Sequence, residues 1–251
     1  MNAPLVSIIT ATFNSQDYIL ETYESIRNQT LCNWEWLVTD DCSTDKTYEI
    51  LLKLSANDCR IKVFRNETNS GAAASRNLSV SKASGIYIAY IDSDDLWLGD
   101  KLKVQLSFMK EDIDFSFTAY ELIDKNGLPL NKIIDKQEQY IFDYKGLLKK
   151  NATLGCSTVL LRREAFPDLS MPLIRTGQDY ATWLKLLKNG TKAYLLPIPL
   201  TKYRITPGSI SRNKLRKALR QWQIYRGIEK IPTAIAFYYF VHYAWHAVFR
   251  R

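Results

Sequence analysis

The sequence predicts an α/β protein built on a mostly parallel sheet. Three observations carry that prediction: four short runs of β-branched and aromatic residues, helical spacing in the segments between them, and acidic residues where two of the runs end. Sheets of this kind bind ligands outside the carboxyl ends of their strands. The ends of the runs are therefore the places to look for chemistry.

Residues 5–12 (LVSIITAT) read as a strand buried on both faces. Asn14 and Ser15 offer a cap, and residues 16–28 have helical spacing through Tyr18, Ile19, Thr22 and Ile26. Residues 34–39 form the second strand. Ser43, Thr44 and Asp45 then start a helix carrying Tyr48, Leu51, Leu52 and Leu54. Residues 61–64 are the third strand, 71–82 a helix rich in small residues, and 86–91 the fourth strand. The second half is less regular. Residues 114–123 and 157–161 look like strands, and 178–188 like a helix ending near Gly190. Residues 193–205 are short apolar runs broken by Pro197 and Pro199. With no repeat or long linker, residues 1–205 read as one domain and 206–251 as an extension.

Composition narrows the function. Of 251 residues, 46% are hydrophobic and 24% charged, which excludes wholesale disorder. The net charge of +8 is uneven: residues 1–201 carry 23 basic and 25 acidic side chains, while 202–251 carry 11 basic and one acidic. A near-neutral body with a basic tail is not the profile of a nucleic-acid binder. The four cysteines (32, 42, 59 and 156) form no CxxC pair, and both histidines lie near the C-terminus, so a zinc site or disulfide framework is not expected. The N-terminal MNAPLVSIIT lacks a basic region and reads as a strand rather than a signal peptide, so the expectation is cytoplasmic.

Asp92-Ser93-Asp94-Asp95, at the end of the fourth strand, is the sharpest feature. Alternate side chains share a face, so Asp-x-Asp aims two carboxylates at one point. Hard cations such as Mg²⁺ take one or two carboxylates plus phosphate oxygens, so a metal held against a diphosphate is one reading. Capping of the next helix by Asp94 or Asp95 is the other. Asp40 and Asp41 end the second strand, where a carboxylate either meets a ligand N–H or hydroxyl or caps the helix behind it. Asn69, Gly71, Arg76 and Asn77 form a third group; Arg76 is either a phosphate-facing cation or a surface arginine. Gly177-Gln178-Asp179 opens a helix, where an aspartate is favoured by the dipole in any case. No phosphate loop of the G-x-x-x-x-G-K-[ST] type and no G-x-G-x-x-G follows a strand, and a Ser-His-Asp site lacks its histidine.

Taken together, VSIITATFN (6–14), VTDDCSTDKT (38–47), NSGAAASRN (69–77), YIAYIDSDDLW (87–97) and GQDYATWLKLL (177–187) resemble the family 2 glycosyltransferases, inverting nucleotide-sugar enzymes with the GT-A fold. The resemblance covers most of residues 5–205. It implies a nucleotide-binding half over about 1–110 and an acceptor half over about 111–205. It further implies that Ala11, Thr12 and Phe13 line the nucleotide pocket, that Asp41 binds the base (most often uracil), and that Arg76 lies near the nucleotide. Asp92 and Ser93 would meet the ribose or diphosphate. Asp94, with Asp92, would hold Mn²⁺ or Mg²⁺, and Asp95 would lie beside the donor sugar. Asp179 matches the general base; the usual Glu-Asp pair is here Gln178-Asp179. Similar short members build bacterial surface polysaccharide (O-antigen, capsule or lipooligosaccharide) on lipid-linked acceptors. The resemblance thus implies transfer from a nucleotide sugar, with UDP the expected nucleotide, to a lipid-linked saccharide. The alternatives are an inactive membrane-bound relative, or a sugar nucleotidyltransferase, which would need a glycine-rich loop after the first strand.

Residues 212–230 read as a helix with Leu215, Leu219, Trp222 and Tyr225 on one stripe and Arg212, Arg216 and Arg220 beside it. Residues 231–249 hold no Asp, Glu, Lys or Arg and many aromatics. Pro232 makes a helix start; Tyr239, His242, Tyr243 and His246 form a polar-tipped stripe opposite Phe237, Val241, Ala244 and Val248. The expectation is a helix lying on an anionic membrane surface, peripheral to the inner membrane. Packing on the catalytic body or a partner subunit, and spanning the bilayer, are the other readings.

Overall fold

The structure is a computed structural model that describes residues 3–110, 112–206 and 214–249. In chain order the first half contains β1 (Val6–Thr12), α1 (Ile19–Arg27), β2 (Trp34–Asp40), α2 (Thr47–Asn57), β3 (Ile61–Arg65), α3 (Ala72–Ser81) and β4 (Tyr87–Tyr90). Then come β5 (Leu96–Trp97), α4 (Lys101–Phe108), β6 (Phe115–Ile123), β7 (Pro129–Ile134), β8 (Ile141–Phe142) and α5 (Tyr144–Leu148). A 3₁₀ turn at Cys156–Thr158 leads into β9 (Leu160–Arg162), followed by α6 (Gln178–Leu187), β10 (Ala193–Arg204), α7 (Lys214–Gln223), a π-turn at Ile224–Ile228 and α8 (Thr233–Phe249).

The strands join one mixed sheet in the order β3-β2-β1-β4-β9-β6-β10-β5, with β7 on β6 and β8 on β10. β3, β2, β1 and β4 are parallel, with Val6 opposite both Trp34 and Tyr87. β9 runs antiparallel to β4 and β6, and β10 runs parallel to β6. The chain steps outward from β1 to β2 and β3, then returns to place β4 on the other side of β1. That reversal opens a crevice at the carboxyl ends of β1 and β4, the position where such sheets hold ligands.

Alternation along the central strands builds two cores. Ile8, Ala89 and Ile91 face one side, with Ile19, Trp36 and Leu102. Ile9, Ile88 and Tyr90 face the other, with Phe115, Trp183 and Leu184. The expectation that the first strand is buried on both faces holds: six of its seven residues are buried.

Several local readings change. α1 begins three residues later than the spacing suggests: Asn14 adopts φ +49°, and residues 16–18 form a turn closed by the Tyr18 amide on the Ser15 carbonyl (3.0 Å). α2 likewise begins at Thr47, after a turn in which the Asp45 carboxylate accepts from the Thr47 amide at 2.9 Å. The stretch 157–161 is part 3₁₀ turn and part strand. β10 is one continuous strand. Its register shifts at Leu196/Pro199 and Pro199/Thr201 absorb the missing proline N–H groups as bulges.

The tail packs on the body. Ile224, Tyr225 and Ala236 are essentially inaccessible and join the core that holds Trp183, while Tyr239 and Phe240 pack against it. Pro232 does start the last helix, its carbonyl accepting from the Ala236 amide at 2.8 Å. Tyr239 and Tyr243 point inward toward protein, whereas Phe237, Val241 and Trp245 are exposed. Arg212 lies outside the described residues, as do the side chains of Leu215, Arg216, His246 and Val248. Among the described residues, no helix is long and apolar enough to cross a membrane.

Candidate active site

The crevice between β1 and β4 is built from short loops tied to one another. At the end of β1, Ala11 is half-buried, Thr12 is buried with its hydroxyl unpartnered, and Phe13 is exposed. Beyond it, Ser15 Oγ and Ser93 Oγ lie 2.8 Å apart, so the loops after β1 and β4 are joined directly.

Asp41 follows β2 and is almost fully buried. Its Oδ1 accepts from the Ser70 amide (2.8 Å) and the Asn66 amide group (2.7 Å), and its Oδ2 accepts from the Gly71 amide (2.8 Å). The carboxylate thereby fixes the turn that opens α3, where Gly71 adopts φ +88°, a conformation that suits glycine. An ionised carboxylate has about four acceptor positions, so one remains on Asp41 for a ligand donor.

Arg76, on the second turn of α3, is buried rather than superficial. Its Nη2 meets Asp92 Oδ1 at 2.5 Å, and its Nε has no hydrogen-bond partner. The charges of Asp92 and Asp179 both raise its already high pKa, although burial opposes them. Three residues far apart in sequence, Arg76, Asp92 and Asp179, are thus brought into one electrostatic neighbourhood, together with the buried Cys156.

The acidic loop after β4 has two kinds of carboxylate. Asp92 is partly exposed, and its backbone amide donates to Ser157 Oγ at 2.9 Å. Burial, with the charge of Asp92 beside it, lifts the carboxyl pKa of Asp94 to about 6. Asp95 is 1% exposed, its Oδ2 accepting from Ser157 Oγ at 2.5 Å and its Oδ1 from the Arg204 amide at 2.9 Å. Burial and the two neighbouring acids push its pKa well up. A cation would relieve that mutual repulsion.

Among the described residues no group of three His, Cys, Asp or Glu side chains closes on an ion. The charge of Asp92 beside Asp94 is what a hard cation shared with a ligand's phosphates would offset. Asp179 lies in the first turn of α6, behind Gly177 at φ +74°; burial raises its pKa and Arg76 opposes the rise. A raised carboxylate is a better proton acceptor than an exposed one.

Sequence reasoning did not single out two residues that hold this loop. Ser157 ties Asp92 to Asp95. Arg204, at the end of β10, donates from Nε to the Asp94 carbonyl (2.8 Å), from Nη1 to the Lys125 carbonyl (3.0 Å) and from Nη2 to Glu21 (2.6 Å). No local signal marks either, since their partners lie tens of residues away. Tyr120 on β6 and Tyr203 on β10, whose rings lie 5.6 Å apart, both feel the charge of Asp95. A cavity of about 440 Å³ lined by Leu20, Glu21, Leu96, Trp97 and Lys202, among others, includes none of Asp92, Asp94, Asp95 and Asp179.

Comparison with known proteins agrees with this architecture. The chain is 45% identical over 249 residues to the putative teichuronic acid biosynthesis glycosyltransferase TuaG of Bacillus subtilis, covering 99% of this chain and 98% of that one. It is 39% identical to WfgD of Escherichia coli, a UDP-Glc:alpha-D-GlcNAc-diphosphoundecaprenol beta-1,3-glucosyltransferase, covering 97% and 93% of the two chains. The crystal structure of Staphylococcus aureus TarS residues 1–349 in complex with UDP-GlcNAc superposes with a TM-score of 0.75 at 22% identity, covering 98% of this chain and 73% of that one, and shows the GT-A fold. The model for Glycosyl transferase family 2 matches residues 7–169. With β1 to β4, the acidic loop and most of the antiparallel half inside that match, the chain belongs to glycosyl transferase family 2 and is a glycosyltransferase.

Proposed function

We propose that this enzyme transfers a sugar with inversion from a UDP-sugar to a lipid-linked saccharide in bacterial surface-polysaccharide synthesis. What supports the mechanism is the ion pair of Arg76 with Asp92 beside the β1–β4 crevice, with the charge of Asp179 acting on the same guanidinium. The relatives' names support the substrate classes.

Each residue has a distinct task in this reading. Ala11, Thr12 and Phe13 wall the nucleotide. Asp41 offers its remaining acceptor position to a base N–H, which suits uracil. Arg76 and Asp92 form a preset pair near the diphosphate, and Ser93 holds the loop to β1. Asp94 and Asp92 would hold Mn²⁺ or Mg²⁺, which when bound would neutralise charge developing on the leaving diphosphate. Asp95 faces inward, so we assign it to holding the loop rather than touching the sugar. Asp179 takes the proton from the acceptor hydroxyl as that oxygen attacks opposite the leaving group. A single base and direct attack invert the anomeric centre, turning an α-linked donor into a β-glycoside. The protein would work at the cytoplasmic face of the membrane, where such acceptors present their saccharides.

A thermal-shift panel of nucleotides and nucleotide sugars with Mn²⁺ tests the donor assignment. UDP and one UDP-sugar should raise the melting temperature most. A larger rise with GDP or dTDP donors would overturn the uracil assignment.

A further inference from the structure

We propose that Asn77 is a positioning residue for Asp179: its side-chain amide clamps the segment leading into α6 and so fixes where that helix sits relative to the Arg76–Asp92 pair. Asn77 Nδ2 donates to the Met171 carbonyl at 2.9 Å, and Asn77 Oδ1 accepts from the Met171 amide at 2.7 Å. The two bonds run in opposite directions between residues 94 apart in sequence. One bond would set a distance and leave a pivot. Two opposed bonds between a planar amide and a planar peptide set the orientation as well, as they do between antiparallel strands. A shorter side chain cannot keep both.

The clamp joins the two sides of the site. Asn77 lies on α3, one residue after Arg76, whose Nη2 meets Asp92 and whose Nη1 donates to Met171 Sδ at 3.9 Å. Consecutive helical residues point roughly 100° apart. Met171 is thus gripped from two directions, by its main chain from Asn77 and by its side chain from Arg76. From the other side α6 reaches back to the same stretch: Lys185 Nζ donates to the Ser170 carbonyl at 2.5 Å and to Asp168 Oδ2 at 2.9 Å. Met171 is buried and shares its core with Trp183 and Leu184 of α6. Further along, Ile174 packs against that core, and Arg220 Nε donates to Thr176 Oγ1 at 2.9 Å. The lead-in to Asp179 is therefore pinned at its start by α3 and near its end by α7.

Transfer demands such a link. The base must lie within hydrogen-bond reach of the attacking oxygen while that oxygen faces the donor carbon, and a displacement of about 1 Å can cost about a hundredfold in rate. In the function proposed above, Arg76 and Asp92 belong to the donor and Asp179 to the acceptor, so this task for Asn77 rests on Asp179 being the base. An asparagine amide neither takes nor gives a proton near neutral pH, so Asn77 acts through the carboxylate it places. A staple with no bearing on the base would lower the melting temperature and leave turnover of the folded enzyme unchanged.

The experiment is a double-mutant cycle of Asn77→Ala and Asp179→Asn in the full chain, run well below every variant's melting temperature. It reads UDP release, with Mn²⁺, from the UDP-sugar that raises the melting temperature most, and UDP affinity by calorimetry. Asn77→Ala should lower kcat about tenfold or more and leave UDP affinity within about twofold of wild type. Asn77→Ser, whose single hydroxyl is too short to bridge both partners, should behave likewise. Adding Asn77→Ala to Asp179→Asn should cost at most about twofold more, because the base being placed is already gone. A wild-type kcat in either Asn77 variant would overturn the role of Asn77. So would a parallel loss of UDP affinity, or an equal fold-loss of turnover in both backgrounds. Wild-type turnover in Asp179→Asn alone would instead overturn the base assignment, and the role of Asn77 with it.

Discussion

Lys101 shows how far a single residue can work against its surroundings. It is fully buried at the start of α4, its Nζ has no hydrogen-bond partner, and it lies 3.9 Å from the Trp97 ring centre. Burial lowers its pKa from 10.5 to about 7. The unfolded chain therefore binds the proton more tightly between these values, and the stability lost to this residue is greatest below pH 7 and fades toward pH 10.5. Lys101→Met removes the charge at similar volume. It should stabilise the protein at pH 7 by about 2–4 kcal/mol, after allowance for the lost contact with Trp97, and the gain should shrink as pH rises. Urea unfolding at pH 7 and pH 9.5 measures both numbers. A gain that grew with pH would contradict the burial account.

At the scale of elements, the turn between β9 and α6 carries the clearest structural demand. Gly177 adopts φ +74° and faces Ile224 of the tail, so Gly177→Ala incurs both a backbone cost and a contact at 3.0 Å. A loss of about 1–2 kcal/mol in urea unfolding is expected. Gly190→Ala, at φ +90° with open space around it, should cost only the backbone part. An equal loss at both sites would show that the tail exerts no pressure on the turn.

Elements also differ in how far the sequence reveals them. β1, β2, β4 and the helices between them are legible because these strands are largely buried on pairing and each connection is short; β3, at the edge, is mostly uncovered and shows as a short apolar run. β5, β7 and β8 are too short or too exposed to leave a periodic signal, and they exist because β6 and β10 offer edges. β10 was obscured by Pro197 and Pro199, whose lost hydrogen bonds are excused by bulges that only the partner strand makes possible. The acids of the site are legible because strand ends are. That Asp95 faces Arg204 and Ser157 is not, because one partner ends a strand 109 residues on and the other sits in a turn 62 residues on.

Across the whole molecule, the parallel half supplies the crevice proposed for the nucleotide, and the antiparallel half brings in α6, whose Asp179 is the proposed base. The charge division follows that plan. In the proposed reading the near-neutral body would meet phosphate through its acidic loops and the buried Arg76, while the excess positive charge belongs to the tail. Because Ile224, Tyr225 and Ala236 sit in the core, removing the tail would strip packing from the body. The tail is a structural buttress for the turn before Asp179.

The central claim is that Asp179 acts on the acceptor proton and not on the donor. Its most direct test compares Asp179→Asn with the wild type in UDP affinity and in turnover of the donor sugar with Mn²⁺. The account predicts UDP affinity within about twofold of wild type and a loss of turnover of about a hundredfold or more. Turnover retained near the wild-type level, or a parallel collapse of UDP affinity, would contradict it.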